Sequence, residues 1–379
     1  MDARRQAVPH AAGKAGGSRQ LGDQKAHRAC CRAFDHGRHL GRALHRRHLP
    51  RGGRIRAGEL EHPQAQRAHR AGRARDAVGN LPRYAARPAS VNLGALIRQT
   101  ERRLRAARLH YGHGTDNPRD EAAFLVLRGL GLPFDADLGR AADPAKVEAL
   151  VEARIKKRIP AAYLLHEAWL AGLRFRIDRR VIVPRSHIAQ LLAERLHPWL
   201  RRSPHRILDL CTGSGCLAIL AARAFPRAEV HASDLSAAAL AVARRNVNEY
   251  GMRKRIRLIR SDLFAALRGM RYDLIVSNPP YVASSEMRRL PAEYRYEPGL
   301  ALAAGKDGLE VVRRLLADAP AHLFPSGRLV CEVGGGRKNV ERAFPAMPFL
   351  WPKDEVFIAG RASMAAVSRM PSRRRSARG

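Results

Sequence analysis

The residues best suited to chemistry in this chain are Asn278-Pro279-Pro280-Tyr281. They follow directly on Tyr272-Asp273-Leu274-Ile275-Val276-Ser277, a short apolar run with the length and composition of a buried strand. Two consecutive prolines at that point dictate a rigid, non-helical turn with few backbone donors. Such a turn offers acceptors instead, namely the Asn278 side chain and nearby carbonyls such as that of Pro279. Acceptors suit a planar NH2 group on an sp2 carbon, whose delocalised lone pair makes the nitrogen a poor nucleophile. Holding both N–H bonds would orient that nitrogen for in-line attack on a sulfonium methyl, so that positioning and electrostatics carry the catalysis. Tyr281 would pack against the planar group. A dedicated general base is not required, because a methylated amide cation is acidic enough to lose its proton to water.

A second constellation lies upstream. The strand Arg206-Ile207-Leu208-Asp209-Leu210 runs into Cys211-Thr212-Gly213-Ser214-Gly215, and a helix-patterned stretch follows with Leu217, Ile219, Leu220 and Ala221 inward. Glycines between a strand and a helix N-terminus let the backbone approach a ligand closely. The next strand, Ala228 to Ser233, ends at Asp234, which lies 19 residues past Gly215. At that spacing an acid reaches ribose hydroxyls in doubly wound folds. A third strand, Ile256 to Ile259, ends at Ser261-Asp262-Leu263, where a carboxylate could accept from an adenine amino group. Each aspartate taken singly also reads as a helix N-cap, since Ser236 and Leu263 open helical stretches. Three acid-bearing or glycine-bearing strand ends at one sheet edge favour a nucleoside. The loop is not G-x-G-x-x-G and supplies a pyrophosphate poorly, so S-adenosylmethionine fits better than a dinucleotide.

The elements that must position these groups fall into a clear order. From Val91 to about His166 the pattern is helical: a run from Leu93 through Leu104 and Leu109, a second opened by Asn117-Pro118, and a third from Pro144 to Lys157. Trp169 to Val183 alternates apolar and polar residues and reads as a hairpin. From His205 onward short apolar strands alternate with helices, the signature of a parallel sheet flanked by helices. A fifth strand is expected at Leu329 to Val333. Its Glu332 would either face the substrate or cap the Gly334-Gly335-Gly336 loop.

The chain has 379 residues and a formal net charge of +36, which invites a nucleic-acid partner. The charge is unevenly placed. Residues 1–90 carry +14 with 8 histidines and few large apolar residues, too few for a packed core. They read as disordered: an RNA-binding arm, a transit peptide, or sequence translated from upstream of the true start. Cys30, Cys31, His36 and His39 match no zinc spacing, and no metal site is expected. Residues 361–379 add +6 and read as a frayed tail, leaving +16 on the body. No apolar run is long enough to span a bilayer, no secretory signal is present, and the cysteines form no framework. A cytoplasmic protein is therefore expected.

The stretches DLCTGSGCLAI, SDLF and SNPPYV together resemble the glutamine-N5 protein methyltransferases, which use S-adenosylmethionine. One bacterial branch modifies peptide-chain release factors, the other ribosomal protein L-3 of the large subunit. LHYGHGTDNPRDEAAFLVL from Leu109, VPRS at Val183 to Ser186 and LPAEYRYEPGLALAAGKDGL from Leu290 resemble the ribosomal branch, and the likeness spans about Val91 to Phe357. It implies an α/β fold: a seven-stranded Rossmann-like class I methyltransferase domain over residues 187–360, preceded by a small helical substrate-recognition domain over 91–166 and a hairpin linker over 167–186. It also implies that Gly213, Ser214 and Gly215 line the methionine portion, with Asp209 and Thr212 in the same cofactor loop. Asp234 would bind ribose, Asp262 and Leu263 would sit by adenine, and Asn278 to Tyr281 would grip the glutamine. The implied partner is L-3, free or in an assembling particle, with non-specific contact to RNA. His187 stands where that branch has proline, and the ending after Trp351 departs from the family pattern, which bears on the last hairpin of the sheet.

Three rival readings share parts of this pattern. The release-factor glutamine would need the same chemistry, but the YGHGTDNP stretch argues against it. Adenine or cytosine in nucleic acid would also suit Asn-Pro-Pro-Tyr, yet no separate base-flipping and sequence-reading domain is evident. An RNA-binding assembly factor without turnover would leave Asn278 and the loop glycines unexplained.

Overall fold

The computed structural model describes residues 91–368; the expectations for residues 1–90 and 369–379 lie outside the described residues. The described chain opens with three main helices. Leu93–Ala106 is capped by Asn92, whose side chain accepts from the Ala95 N–H at 2.7 Å. Pro118–Gly129 starts with proline at its first position and Asn117 as cap. Ala145–Lys157 follows, and a short helix at Ala161–Leu165 closes the segment. Two strands, β1 (Val91–Asn92) and β2 (Ala141–Ala142), pair antiparallel across its base. One apolar cluster built on Leu93, Leu96, Val126 and Val147 belongs to this segment alone.

A hairpin, β3 (Glu167–Leu170) and β4 (Leu173–Arg176), comes next. It is shorter than the alternation to Val183 predicts. Asp178 accepts from the Arg180 N–H at 3.1 Å, a tight local turn that ends the ladder. Val181 and Ile182 instead run on as loop.

The remaining strands build one sheet: β5 (Arg206–Leu210), β6 (Glu229–Asp234), β7 (Ile256–Arg260), β8 (Tyr272–Ser277), β9 (Leu323–Glu332), β10 (Leu350–Lys353) and β11 (Val356–Gly360). Their order is β10-β11-β9-β8-β5-β6-β7. The five strands from β7 to β9 are parallel, and β11 and β10 return antiparallel at one edge. This is a seven-stranded α/β sheet with helices on both faces, the architecture that the resemblance implies. Its direction of growth reverses between β5 and β8, the point where open α/β sheets bind ligands at their C-terminal edge. The terminal hairpin is present despite the unusual ending. Phe357 and Ile358 are buried, and the chain continues as helix Arg361–Ser368 with Met364 fully buried, so the residues just past Gly360 are not a frayed tail. Strand β9 starts at Leu323, six residues earlier than its apolar pattern indicates.

Arg154 ties the helical segment to the sheet domain. It is 1% exposed, its Nε meets Glu121 Oε1 at 2.6 Å, and its Nη1 meets Glu293 Oε1 at 3.2 Å across 139 residues of sequence. Its third nitrogen donates to the His110 carbonyl at 2.8 Å. Each arm of the guanidinium thus has an acceptor, as a buried charge requires.

Candidate active site

The sheet places the two constellations side by side. Ser277 Oγ donates to the Leu210 carbonyl at 2.8 Å, which pins the end of β8 to the end of β5. The glycine loop leaving β5 and the Asn-Pro-Pro-Tyr turn leaving β8 therefore face one cavity of about 280 Å³. Asp234 at the end of β6 is its third corner, and Asp262 with Leu263 beyond β7 its fourth.

The loop owes its shape to left-handed backbone at Cys211, Gly213 and Gly215. A Cβ on Gly215 would sit 3.2 Å from that of Ala243, so glycine there lets the loop meet the helix Ala237–Glu249. A Cβ on Gly213 would meet nothing within 4 Å, because that residue borders the cavity. Asp234 fixes the loop from across the sheet. Its Oδ2 accepts from the Gly213 N–H and its Oδ1 from the Ser236 N–H, both at 2.9 Å. Burial raises its pKa, and these two donors pull it back down. The cap of the following helix is Ser236 itself, whose Oγ accepts from the Ala239 N–H, so Asp234 keeps lone pairs for a ligand.

Asp262 is half exposed and pairs with Arg314 at 2.8 Å; no helix starts there, which removes the capping reading. Leu263 holds a left-handed φ of 46° and is buried at the cavity edge. Asn278 and Pro280 line the cavity as well. The Asn278 amide has no hydrogen-bond partner within the described residues, in contrast to Asn246, which bonds the Arg176 and Ser214 carbonyls.

Four residues expected in the cofactor set turn away from the cavity. Asp209 is fully buried; its Oδ2 accepts from Thr212 Oγ1 at 2.5 Å and the Ala218 N–H at 2.9 Å. Burial pushes its carboxyl up to about 7. Thr212, Ser214 and Gly215 brace the loop from behind and are absent from the cavity wall. Alternation along β5 explains the difference, since Asp209 points to one face while the loop beyond Leu210 turns over the sheet edge. Sequence reasoning missed the far wall. Val181 and Ile182 come from the segment after β4, while Pro298 and Leu300 come from the loop after β8. Leu300 is 59% exposed and Leu235, next to Asp234, 47%, both at this cavity. The one available signal was Leu235, a bare leucine directly beyond the ribose-type acid.

With this geometry in place, comparison with known proteins is decisive. The profile described as methyltransferase small domain matches residues 187–292. A ribosomal protein uL3 glutamine methyltransferase of Bordetella pertussis is 54% identical over 264 residues, 68% of this chain and 89% of that protein. Proteins of the same name from Burkholderia pseudomallei and Neisseria meningitidis serogroup B are 49% and 48% identical, again over 68% of this chain and 88% and 87% of theirs. The chain belongs to the uL3 glutamine methyltransferase family.

Enzymes of this kind take their methyl group from S-adenosylmethionine, and the residues present fit it. Open space over Gly213, a carboxylate with spare lone pairs at Asp234, and apolar walls without a phosphate cradle suit a phosphate-free nucleoside carrying a sulfonium. In such a methyltransferase the turn must hold still. Pro279 is buried, and the next residues are clamped: the Val282 N–H donates to the Leu302 carbonyl and the Ala304 N–H to the Val282 carbonyl. A Cβ on Gly308 would come within 2.4 Å of the Tyr281 carbonyl oxygen. A Cβ on Gly334, whose φ is 51°, would lie 2.6 Å from the Tyr281 ring. Gly334→Ala is accordingly expected to lower kcat about tenfold, by displacing Tyr281 and straining a left-handed residue, with S-adenosylmethionine affinity retained. Steady-state rates set beside calorimetric titration check this, and an unchanged kcat would show that the ring tolerates displacement. Glu332 neither faces the cavity nor caps the Gly334–Gly336 turn. It is buried and accepts from Ser186 Oγ at 2.5 Å and the His187 N–H at 2.9 Å.

Proposed function

We propose that this chain transfers a methyl group from S-adenosylmethionine to the side-chain amide nitrogen of one glutamine in ribosomal protein uL3 of the large subunit. The observation that carries the reading is the free Asn278 amide on the cavity wall, beside a nucleoside-shaped site, in a chain 54% identical to a uL3 glutamine methyltransferase. Asn278 Oδ1 and the Pro279 carbonyl would each accept one N–H of the substrate amide. That arrangement fixes the nitrogen in line with the methyl carbon; the N–C bond forms as the S–C bond breaks, and the amide proton passes to water. Fixed acceptors also stabilise the positive charge that grows on nitrogen. Tyr281 is half-buried, and burial raises its phenol to about 12, so it stays neutral and contributes an aromatic edge rather than a base.

Asp234 would take the ribose hydroxyls, and Asp262 with Leu263 the adenine edge. Asp209 and Thr212 would act from behind the loop. The helical segment over residues 91–166 would form part of the docking face for uL3, free or within an assembling particle, where the basic body favours contact with RNA. No described helix is long and apolar enough to cross a membrane, and the cytoplasm is the compartment in which this substrate is met. Incubating the purified protein with uL3, a release factor and labelled donor, then mapping the modified peptide by mass spectrometry, tests the reading. A single methylated glutamine in uL3 is expected. Labelling of the release factor alone would overturn the substrate assignment, and failure to bind the donor at millimolar concentration would overturn the cavity assignment.

A further inference from the structure

We propose that the amino-terminal edge of the parallel sheet is a docking surface for the phosphate backbone of RNA, which gives a place to the RNA contact of the proposed function and rests on that contact rather than on which glutamine is methylated. Parallel strands put their carboxyl ends, with Asp234, Asp262 and Asn278 at or just beyond them, on one edge and their amino ends on the other. Cations collect at the amino ends. Arg206 opens β5, Arg227 leads into β6, Arg253 and Lys254 into β7, and Arg268 and Arg271 into β8, all six exposed. Backbone bonds hold these leads side by side. The Glu229 N–H donates to the His205 carbonyl and the Val230 N–H to the Arg255 carbonyl, both at 2.9 Å, while Asp273 Oδ2 accepts from the His205 and Arg206 N–H groups. Arg255 stays with the scaffold, donating to the Phe225 and Ala228 carbonyls. At about 4.8 Å per strand, the four neighbours β8-β5-β6-β7 spread the row of cations over roughly 15 Å.

Little within the chain answers this charge. The stretches 201–206, 225–229, 250–256 and 265–273 hold two carboxylates, Glu229 and Asp273. Asp273 is taken up by its two N–H donors, and Glu229 faces Arg206 at 3.6 Å and His231 at 3.2 Å. The side chains of Arg227, Lys254, Arg268 and Arg271 have no ion-pair or hydrogen-bond partner among the described residues. Helix dipoles explain only part of the pattern. Helices Cys216–Ala224 and Ala237–Glu249 end at this edge, where each C-terminus favours a cation by about 0.3–1 kcal/mol. No helix lies between β7 and β8, so Arg268 and Arg271 have no such reason. The chemistry of the surface points to its partner. Five of the six cations are arginine, whose planar fork matches phosphate oxygens. The exposed large apolar side chains among the described residues are Leu235, Leu300 and Leu350, and none lies on these stretches. A protein interface would want an aromatic or aliphatic anchor and a membrane an apolar face, whereas phosphates need neither. RNA is the polyanion that a ribosomal protein brings with it. The strands are five or six residues long, so the row lies roughly 17–20 Å from the cavity, and RNA held there leaves the cavity open to a glutamine.

The test uses the full chain and a short RNA duplex of arbitrary sequence, with binding followed by fluorescence anisotropy across salt concentrations. Arg227→Gln, Lys254→Gln, Arg268→Gln and Arg271→Gln are combined in one variant. Arg98→Gln, Arg102→Gln, Arg119→Gln and Lys146→Gln, at exposed cations of the helical segment, make a control of equal charge. The edge variant is expected to bind RNA about tenfold more weakly than wild type, or worse, at about 0.1 M salt, with a salt slope shallower by about three to four, while the control stays within about threefold. Methylation of free uL3 is expected to keep its kcat/KM within about twofold in the edge variant, since none of its four positions borders the cavity. Arg271→Gln alone is expected to reduce the slope by about one, and it decides the matter if the combination fails to fold. Equal losses in the edge variant and the control would mean that the charge acts diffusely, and unchanged binding that the edge is bare; either overturns the proposal. A loss of free-uL3 methylation alongside RNA binding would make the edge part of the contact with the protein substrate, and overturns it as well. Wild type that binds RNA through this edge but leaves uL3 unmethylated would support the docking surface and overturn the substrate reading alone.

Discussion

Asn278→Ala is expected to lower kcat for methyl transfer by 10²–10³, about 2.7–4 kcal/mol of transition-state stabilisation, and to leave S-adenosylmethionine affinity within a few-fold of wild type. The expectation follows from what the side chain does not do. Its amide bonds no other group among the described residues, whereas the adjoining Ser277 hydroxyl carries a bond that holds β8 to β5. Truncation therefore removes no scaffold contact, and Pro279 and the strand keep the turn in place. On the proposed reading, what disappears is one acceptor for the substrate amide nitrogen as it loses resonance and gains charge. An interaction made chiefly in the transition state appears in kcat rather than in binding. Single-turnover rates with calorimetric titration of the donor separate the two quantities. A variant that kept more than about a tenth of the wild-type rate would show that Asn278 does not orient the nucleophile, since loss of such a donor or acceptor costs far more.

Much of this site is legible in the sequence because parallel strands write it plainly. β6 and β8 are mostly buried strands, and each ends in a polar residue, Asp234 and Ser277, where the chain leaves the sheet. Asp234, Asp262 and Asn278 are therefore legible in the sequence as groups at one sheet edge. Asp209 shows the limit. Its type and position suit a ligand contact, but strand alternation turns it inward, where Thr212 and the Ala218 N–H occupy its oxygen. The apolar pattern of β9 begins only at Leu329, because Pro325-Ser326-Gly327 before it are residue types common in turns. The strand passes through them by close approach: a Cβ on Gly327 would lie 3.0 Å from the Tyr272 carbonyl oxygen, and the β8–β9 register shifts at Tyr272. The far wall of the cavity was illegible for another reason. Ile182 and Leu300 lie over a hundred residues apart, and no local pattern announces that two loops will meet. Arg185 and the buried Glu297 likewise pair at 2.7 Å across 112 residues of sequence, and neither one's neighbours announce the other.

Asp234→Ala is expected to weaken S-adenosylmethionine binding by about 10²-fold or more, the inverse of the Asn278 result, with catalysis recovered in part at saturating donor. Two losses combine. The carboxylate now accepts the Gly213 and Ser236 N–H groups, and hydrogen bonds to a charged group contribute about 1.5–3 kcal/mol each. Without it the Gly213 amide, at the half-buried loop tip, is free to swing out of the cavity it borders. The second loss is the proposed ribose contact, which alanine cannot replace. Asp234→Asn separates the two, since its carbonyl can hold one N–H but its NH2 cannot accept the other. An intermediate affinity is expected for it. Calorimetry with S-adenosylmethionine, and with the S-adenosylhomocysteine product as a control lacking the sulfonium charge, measures both variants. Equal losses for donor and product place the contact on the nucleoside half, as its position at the end of β6 requires. A loss confined to the donor would mean that Asp234 acts on the sulfonium instead, and the orientation of the ligand in the cavity would have to be reversed.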